Sequence, residues 1–460
     1  MKIQNPDSCH PKTDLKNAAN HLQKKDTAAS LEKKEKNANV PKPEKTGFFK
    51  TYDCRGIYGV DATEQNSYRL GLACNAFKRP IVLGMDYREH NESLASAFLQ
   101  GFQGEAWNAG HLPSPALAFN TRKEGWATSF TASHNPAGYN GVKFKKHGRC
   151  FFENELQQLK KWYEFSKAPE KIENKPLPPA DPAVKRNYVD ELPEIHDAVF
   201  DLGGGAACAL KDCFENRLFD TPDPTFQRHA PEPKEGTLDV LQTDTIRQKK
   251  VGFAFDGDAD RCVAVDQGTV IDGGVLCAYI AAHHVPTQSK IFVTLDTQTE
   301  VFRFLQEEGF QTHYTPVGDV HIVRAMVEQK AAFAAERSGH YSFAQHMPDS
   351  DGIFTAALLS GTKAGDILAF ASQFKAVSLK DEVRFQVDFT ALKAWAEQKA
   401  GSQNVQDIDG VKADLGDYAF LVRASQTEPK VRINVEATDA GNAKKGMEEV
   451  KAALEKCRMP

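Results

Sequence analysis

The chain has 460 residues, of which 57 are basic and 62 acidic, giving a net charge of −5, and 41% are apolar. That length exceeds one ordinary domain and suggests about three, and the apolar share is enough for substantial cores. The charge balance argues against nucleic-acid binding by bulk electrostatics, no apolar run approaches the ~20 residues of a membrane-spanning helix, and nine cysteines without a Cys-x-x-Cys pair read as reduced thiols in a cytoplasm.

The first 45 residues hold ten lysines, six acidic side chains and almost no large apolar ones. Such a segment cannot bury enough surface to offset its ordering entropy, so 1–45 reads as a disordered extension, with a weak helix at 14–25. No apolar stretch follows the lysines, which argues against a secretory signal; the lack of arginine beside several acids argues against a transit peptide. From Phe49 on, strand-like and helix-like stretches alternate, which implies α/β layers. Residues 81–85 then 94–108 read as strand then helix, as do 197–202 then 206–215 and 290–295 then 299–309; 311–316 adds a strand. The proline-rich stretch 175–182 reads as a linker, and further breaks fall near Asp272 and at 375–380. These divide the chain into units at 46–181, 182–271, 272–376 and 377–460, the last with more strand than crossover.

Four polar clusters sit at strand ends. In Thr131-Ala132-Ser133-His134-Asn135-Pro136, small residues and a turn running on through Gly138, Asn140 and Gly141 leave the Ser133 hydroxyl exposed. Asp256, Asp258 and Asp260 alternate with Gly257 and Ala259 after the buried-strand run 251–255. Three such carboxylates are costly to bury without a counter-ion, and an oxygen-only ligand set suits Mg²⁺. An EF-hand is excluded, because Arg261 and Gln267 stand where that loop needs Gly and Glu. Glu336, Ser338 and His340, around Arg337 and Gly339, can chelate two adjacent sugar hydroxyls, and the histidine can shuttle a proton near neutrality. The hairpin loop 423–430 presents Arg423, Ser425, Gln426, Thr427 and Lys430 to one point, which suits a phosphate dianion. The serine and sugar clusters alone are most simply ordinary polar turns, the hairpin loop is equally a charged tip or a phosphate site, and the three aspartates on their spacing point to a metal. Together they lie near residues 133, 258, 338 and 426, spaced so that each belongs to a separate folding unit.

In this order and spacing the four loops resemble those of the α-D-phosphohexomutases, the phosphomannomutase and phosphoglucomutase family, over about residues 48–454. Other segments agree: Phe49 to Gly56 resembles the family's opening strand, whose Tyr52 and Arg55 would point into the site, and 82–88 resembles the next strand and its turn. Residues 139–144 complete the serine loop with Lys143, Thr315 to Asp319 resembles a loop that contributes to substrate choice, and Asp351-Gly352 precedes a helix at 353–360. The resemblance implies an α/β fold of four domains, three similar mixed α/β sheet domains and a smaller C-terminal α+β domain around a central cleft.

It also implies a mechanism. Ser133 would be carried as phosphoserine, and a hexose 1-phosphate would lodge its phosphate in the loop 423–430. Phosphoryl passes to O6, the 1,6-bisphosphate reorients, and the 1-phosphoryl returns to Ser133. Mg²⁺ would be held by Asp256, Asp258 and Asp260 with the serine phosphate, whose oxygens Arg55 and Arg261 would also grip. Glu336 and Ser338 would hold the sugar's O3 and O4, with His340, Tyr52, Gly318 and Asp319 supporting substrate, and Lys143 would act as acid or base. A hexose 1,6-bisphosphate is the expected activator, and the unit after Ala376 is expected to move. The expected partners are small-molecule sugar phosphates, not nucleic acid or membrane, with monomer and dimer both open.

Thr131 resembles phosphomannomutases and phosphoglucomutases more than the phosphoglucosamine group, which commonly has Ser there. Arg337 stands where Met, Lys or Gln is familiar and either reaches a substrate phosphate or faces solvent; Ala335 replaces a usual Gly, and Asp319 resembles phosphoglucosamine and archaeal-type members. Mannose and glucose phosphates are therefore the first reading and glucosamine phosphate the second. A phosphatase with Asp256 as nucleophile would leave Ser133 and the C-terminal loop without work. A non-catalytic sugar-phosphate binder would not need Ser133 and all three aspartates.

Overall fold

The structure, a computed structural model, describes residues 47–425 and 430–459. The expectations for 1–45, the helix at 14–25 included, and for Gln426 and Thr427 lie outside the described residues. Four sheets follow one another along the chain. The first contains β1 (Cys54–Ile57), β2 (Ile81–Met85), β3 (Ala106–His111), β4 (Trp126–Phe130), β5 (Tyr139–Lys146) and β6 (Arg149–Cys150). Its order is β1-β5-β4-β2-β3, with β6 paired to β5. β2 runs parallel to both neighbours and is a near-continuous apolar run, as a strand covered on both faces requires.

The second sheet has β7 (Val199–Asp201), β8 (Asn216–Leu218), β9 (Gly252–Phe255), β10 (Cys262–Asp266) and β11 (Thr269–Val270), ordered β11-β10-β9-β7-β8. The third has β12 (Lys290–Thr294), β13 (Gln311–Thr315), β14 (Phe333–Glu336) and β15 (His340–Phe343), ordered β13-β12-β14-β15. Both mix parallel and antiparallel pairs. The fourth, β16 (Val377–Val383), β17 (Val405–Gln406), β18 (Val411–Asp414), β19 (Ala419–Ala424) and β20 (Val431–Ala437), is antiparallel throughout. The fold is thus four α/β units with a smaller last one.

Two expected elements differ. The helix expected at 94–108 is Asn91–Gly101, and residues 106–108 instead open β3. The helix stops where Gly101 meets the neighbouring helix Glu64–Cys74: a Cβ on Gly101 would stand 2.1 Å from the Tyr68 carbonyl, and one on Gly71 2.0 Å from that of Phe98. This close crossing and the parallel pairing of β3 with β2 override local helix preference. The expected helix at 206–215 is a 3₁₀ helix, Ala206–Cys213.

The cores divide unequally. One continuous apolar cluster joins the second and third sheets to the helix Ser114–Asn120 of the first unit, including Leu117, Phe253, Leu276, Val293 and Tyr341. The last unit has its own core, centred on Leu392, Val422, Val435 and Leu454. Its contacts with the third unit include polar ones: Lys412 Nζ donates to the Leu295 and Thr297 carbonyls, the Thr299 hydroxyl donates to Glu436, and Arg303 pairs with Asp414. Among the described residues no helix is long and apolar enough to cross a membrane.

Candidate active site

Each polar cluster joins two adjacent antiparallel strands of its own sheet: β4 to β5, β9 to β10, β14 to β15, and β19 to β20. The metal and sugar loops are stitched together across sheets, since the Cys262 amide donates to the Gly339 carbonyl at 2.9 Å. Gly339, with φ of 103°, permits this, because a Cβ there would lie 2.9 Å from the Cys262 carbonyl.

The serine loop is clamped from beneath. Arg88, its side chain wholly buried, donates to the carbonyls of Ser133, Asn135, Pro136 and Tyr139 and faces Asp86. Asp86 in turn accepts from the Thr131 hydroxyl, whose oxygen accepts the Ser133 amide at 2.8 Å. This network holds Ser133 at φ of 52°, a strained position for a residue with a Cβ. The expectation of an exposed hydroxyl is corrected: Ser133 is only 3% exposed. The metal loop lies over it, with Gly257 so near that a Cβ would stand 2.4 Å from the Ser133 carbonyl. The Ser133 hydroxyl donates to Asp256 Oδ2 at 2.8 Å.

Ser133 opens onto a cavity of about 200 Å³ lined also by Tyr52, Arg55, His134, Lys143, Arg261, Gly318, Asp319, Glu336 and His340. Arg55 donates to both Asp53 oxygens and to Asn135. Tyr52 hydrogen-bonds His321 at 2.9 Å, and Gly318, at φ of 136°, precedes the helix opened by Asp319. Arg261 donates to His134 Nδ1 at 3.0 Å. Burial and the cations Arg261, Arg55 and Lys143 push His134 down to about 2, so it is neutral.

Asp256, Asp258 and Asp260 are all buried, and one oxygen of each lies within 4.8 Å of the others. Burial and the charges of Asp260 and Asp258 raise Asp256 to about 7. Lys143 Nζ bridges Asp258 and Asp260 at 2.7 and 2.6 Å; burial alone would favour the neutral amine, but these carboxylates hold it firmly cationic. Asp258 Oδ1 is buried with no hydrogen-bond partner among the described residues. An orphaned carboxylate oxygen in an oxygen-only cluster fits a hard divalent cation. An overlapping group, Asp260, Asp319 and His340, fits less well. His340 Nε2 faces Asp260 at 3.2 Å and Nδ1 faces Glu336 at 3.0 Å and Ser338 at 2.9 Å. Burial opposes the charge on this ring, yet Asp260 and Glu336 raise it to about 10. Both ring nitrogens are thus engaged, Nε2 by a carboxylate of the metal loop and Nδ1 by side chains of the sugar loop.

A larger cavity of about 830 Å³ lies between the sugar loop and the fourth sheet, lined by Ser338, Arg337, Asp272, Asp296, Arg423 and Lys430 among others. Arg423 sits on β19 rather than in the loop and donates to Asp409. The Ser425 amide donates to the Lys430 carbonyl, and Lys430 pairs with Glu382. The expected site thus spans two cavities, with Glu336 on one and Ser338 on the other. Sequence reasoning gave no role to Arg88, Asp86, His134, Asn135 or Asp296. The signal for the first two was present, as an Asp-x-Arg directly after an apolar strand.

The chain matches, in order, "Phosphoglucomutase/phosphomannomutase, alpha/beta/alpha domain I" over residues 46–167, domain II over 209–269, domain III over 273–366 and the C-terminal domain over 382–453. It is 27% identical over 459 residues to the phosphoglucosamine mutase of Methanocaldococcus jannaschii, covering 88% of this chain and 99% of that one. It is 28% identical over 445 residues to the same organism's phosphomannomutase, covering 89% and 97%. A solved phosphoglucomutase/phosphomannomutase family protein from Burkholderia thailandensis shares its fold, with a TM-score of 0.76 at 24% identity over 89% of this chain and 97% of that one.

Proposed function

We infer the function from membership: the chain belongs to the phosphoglucomutase/phosphomannomutase family of α-D-phosphohexomutases and is a phosphohexomutase. Its substrates in this reading are mannose and/or glucose phosphates, interconverted between the 1- and 6-positions through a phosphoserine at Ser133 and a 1,6-bisphosphate. The observation that carries the reading is the buried Ser133 hydroxyl at 2.8 Å from Asp256, inside a cavity ringed by Arg55, Arg261 and Lys143.

In the forward transfer the Ser133 Oγ–P bond breaks and a P–O6 bond forms. Arg55 and Arg261, whose positions are fixed by Asp53, Asn135 and His134, hold the phosphoryl oxygens, and fixed cations of this kind stabilise the transferring group without reorganising. Lys143, whose Nζ lies beside Asp258 and Asp260, is the candidate acid or base that carries the proton from the O6 hydroxyl to the leaving Ser133 Oγ. When phosphoryl returns to Ser133, Asp256 Oδ2 is the nearby acceptor for the serine proton. Asp256, Asp258 and Asp260 would hold Mg²⁺, which when bound offsets charge on the phosphoryl group. Glu336 and Ser338 grip the sugar hydroxyls, with Tyr52, Gly318, Asp319 and His340 supporting substrate. Arg423, Ser425, Gln426, Thr427 and Lys430 take the phosphate that is not reacting.

Water competes as acceptor, so the site must close over substrate. The domain units 46–181, 182–271 and 272–376 would act as one body, and 377–460, with its separate core and polar contacts, as the moving lid. A hexose 1,6-bisphosphate serves as activator. A cytoplasmic location belongs to the same reading, supported by the free thiols of all the described cysteines. Glucosamine phosphate is the second reading, favoured by the phosphoglucosamine mutase among the relatives.

The test offers phosphorylated enzyme Mg²⁺, a trace of the matching bisphosphate, and mannose, glucose or glucosamine 1-phosphate separately, with ³¹P NMR of the products. Conversion of mannose and glucose phosphates, lost in Ser133→Ala, is expected. Turnover of glucosamine phosphate alone moves the assignment to the second reading. Inorganic phosphate as main product, undiminished by Ser133→Ala, overturns both.

A further inference from the structure

Arg337 is the residue of the sugar loop that departs from the familiar pattern, and its position answers the choice left open by the sequence. Its guanidinium is held by protein acceptors, with the side chain 19% exposed. Nε and Nη2 both donate to Asp272 Oδ2, at 3.0 and 2.9 Å, and Nη1 donates to the Asp296 carbonyl at 3.3 Å. Asp272 is itself fixed, because its other oxygen caps the helix Gly273–His284 at the Gly274 amide. A guanidinium has five N–H donors, of which three are used here. Two remain without a protein acceptor among the described residues, on a side chain that lines the 830 Å³ cavity opposite Arg423 and Lys430.

The mounting differs on the two sides. Arg423 and Lys430 belong to the last unit, which has its own core, and pair with Asp409 and Glu382 of that same unit. Arg337 belongs to the third sheet's loop and is braced by Asp272, within the continuous core of the preceding units. Withdrawal of the last unit would carry Arg423 and Lys430 away and leave Arg337 in place. Asp296 stands between, close enough for both Arg337 and Arg423 to act on its carboxyl.

We propose that Arg337 is a second phosphate-holding residue of the large cavity, which keeps the non-reacting phosphate of the bisphosphate bound when the C-terminal unit loosens its grip. The inference rests on the mutase reading. A braced Arg suits this work, since a planar fork already oriented loses little freedom when it binds a phosphate. Its consequence is less escape of bisphosphate per turnover and a lower need for added activator.

The test uses glucose 1,6-bisphosphate as the probe and the full chain throughout. Binding is measured calorimetrically in Ser133→Ala, which cannot exchange phosphoryl, with and without Arg337→Met or Arg337→Lys. A charged hydrogen bond lost to the phosphate predicts about tenfold weaker binding for Met, with Lys in between. In otherwise wild-type enzyme, Arg337→Met should raise the fraction of labelled bisphosphate released to solution and the KM for activator more than it lowers kcat. Asp272→Asn, which keeps the helix-capping oxygen but removes the bracing charge, should fall between wild type and Met. Equal bisphosphate affinity in all variants, or a loss that Lys does not relieve and that follows a fall in Tm, overturns the inference. Inert phosphoenzyme with Arg337-sensitive bisphosphate binding would sink the mutase reading and leave this contact standing; intact transfer with Arg337-insensitive binding would do the reverse.

Discussion

The cavity at Ser133 and the cavity under the fourth sheet share the sugar loop but are built on opposite principles. The first is about 200 Å³, and its polar side chains bind across loops: Ser133 to Asp256, Lys143 to Asp258 and Asp260, Arg261 to His134, His340 to Asp260. The second is about 830 Å³, and its cations pair mainly with acids of their own unit. A site that stabilises a transferring charge needs dipoles and charges fixed before the reaction. A site that admits a sugar phosphate and lets a bisphosphate turn needs room and a wall that moves. The contrast assigns chemistry to the small cavity and holding to the large one.

The largest expected effect tests the small cavity. Ser133→Ala should remove 6-phosphate formation by about 10⁴-fold or more, read by ³¹P NMR, because no other group receives phosphoryl. Next is Asp258→Asn, which halves the acceptor capacity of the carboxylate with the orphaned oxygen. It should weaken Mg²⁺ binding by at least the ~10–100-fold that loss of an outer partner costs, measured by calorimetry; unchanged affinity would place the cation elsewhere. Arg423→Ala should then raise KM for hexose 1-phosphate about tenfold with a smaller change in kcat, as loss of uniform binding does. An equal fall in kcat would erase the division between the two cavities.

The smallest effect lies outside both. Glu155 caps the helix Glu153–Phe165 and pairs with Arg149 and Lys146. Burial opposes its charge, but those cations and the Phe152 amide lower it to about 2. A depressed acid contributes stability that is present above its unfolded pKa, 4.5, and is lost as pH falls toward 2. Glu155→Gln should therefore cost about 1 kcal/mol in urea unfolding at pH 7 once solvent screening is allowed for, with a penalty that shrinks below pH 4.5 and mutase kinetics unaffected.

Much of this was legible in the sequence because each loop's chemistry is local. Asp256, Asp258 and Asp260 sit on alternate residues, and strand-end position was readable from the apolar runs before each loop. Other properties depend on distant residues. Ser133 is buried because Asp256 and Gly257, over 120 positions away, close over it. His340 is bound by Asp260, 80 residues earlier, and no neighbour of Arg337 in sequence points to Asp272. The stretch 94–108 reads as one helix because only the Gly71–Gly101 crossing and pairing to β2 reveal its end. Arg88 was missed although Asp-x-Arg marked it, because its hydrogen-bond acceptors in the serine loop are backbone carbonyls, which no side chain in the sequence points to.

The most direct test is one turnover of enzyme labelled with ³²P on Ser133, mixed with unlabelled glucose or mannose 1-phosphate and Mg²⁺ and quenched at successive times. The account predicts that label leaves the Ser133 peptide, appears at O6 of the 1,6-bisphosphate, and then accumulates in hexose 6-phosphate. Label recovered from the start as inorganic phosphate, or found on Asp256 instead of Ser133, would contradict it.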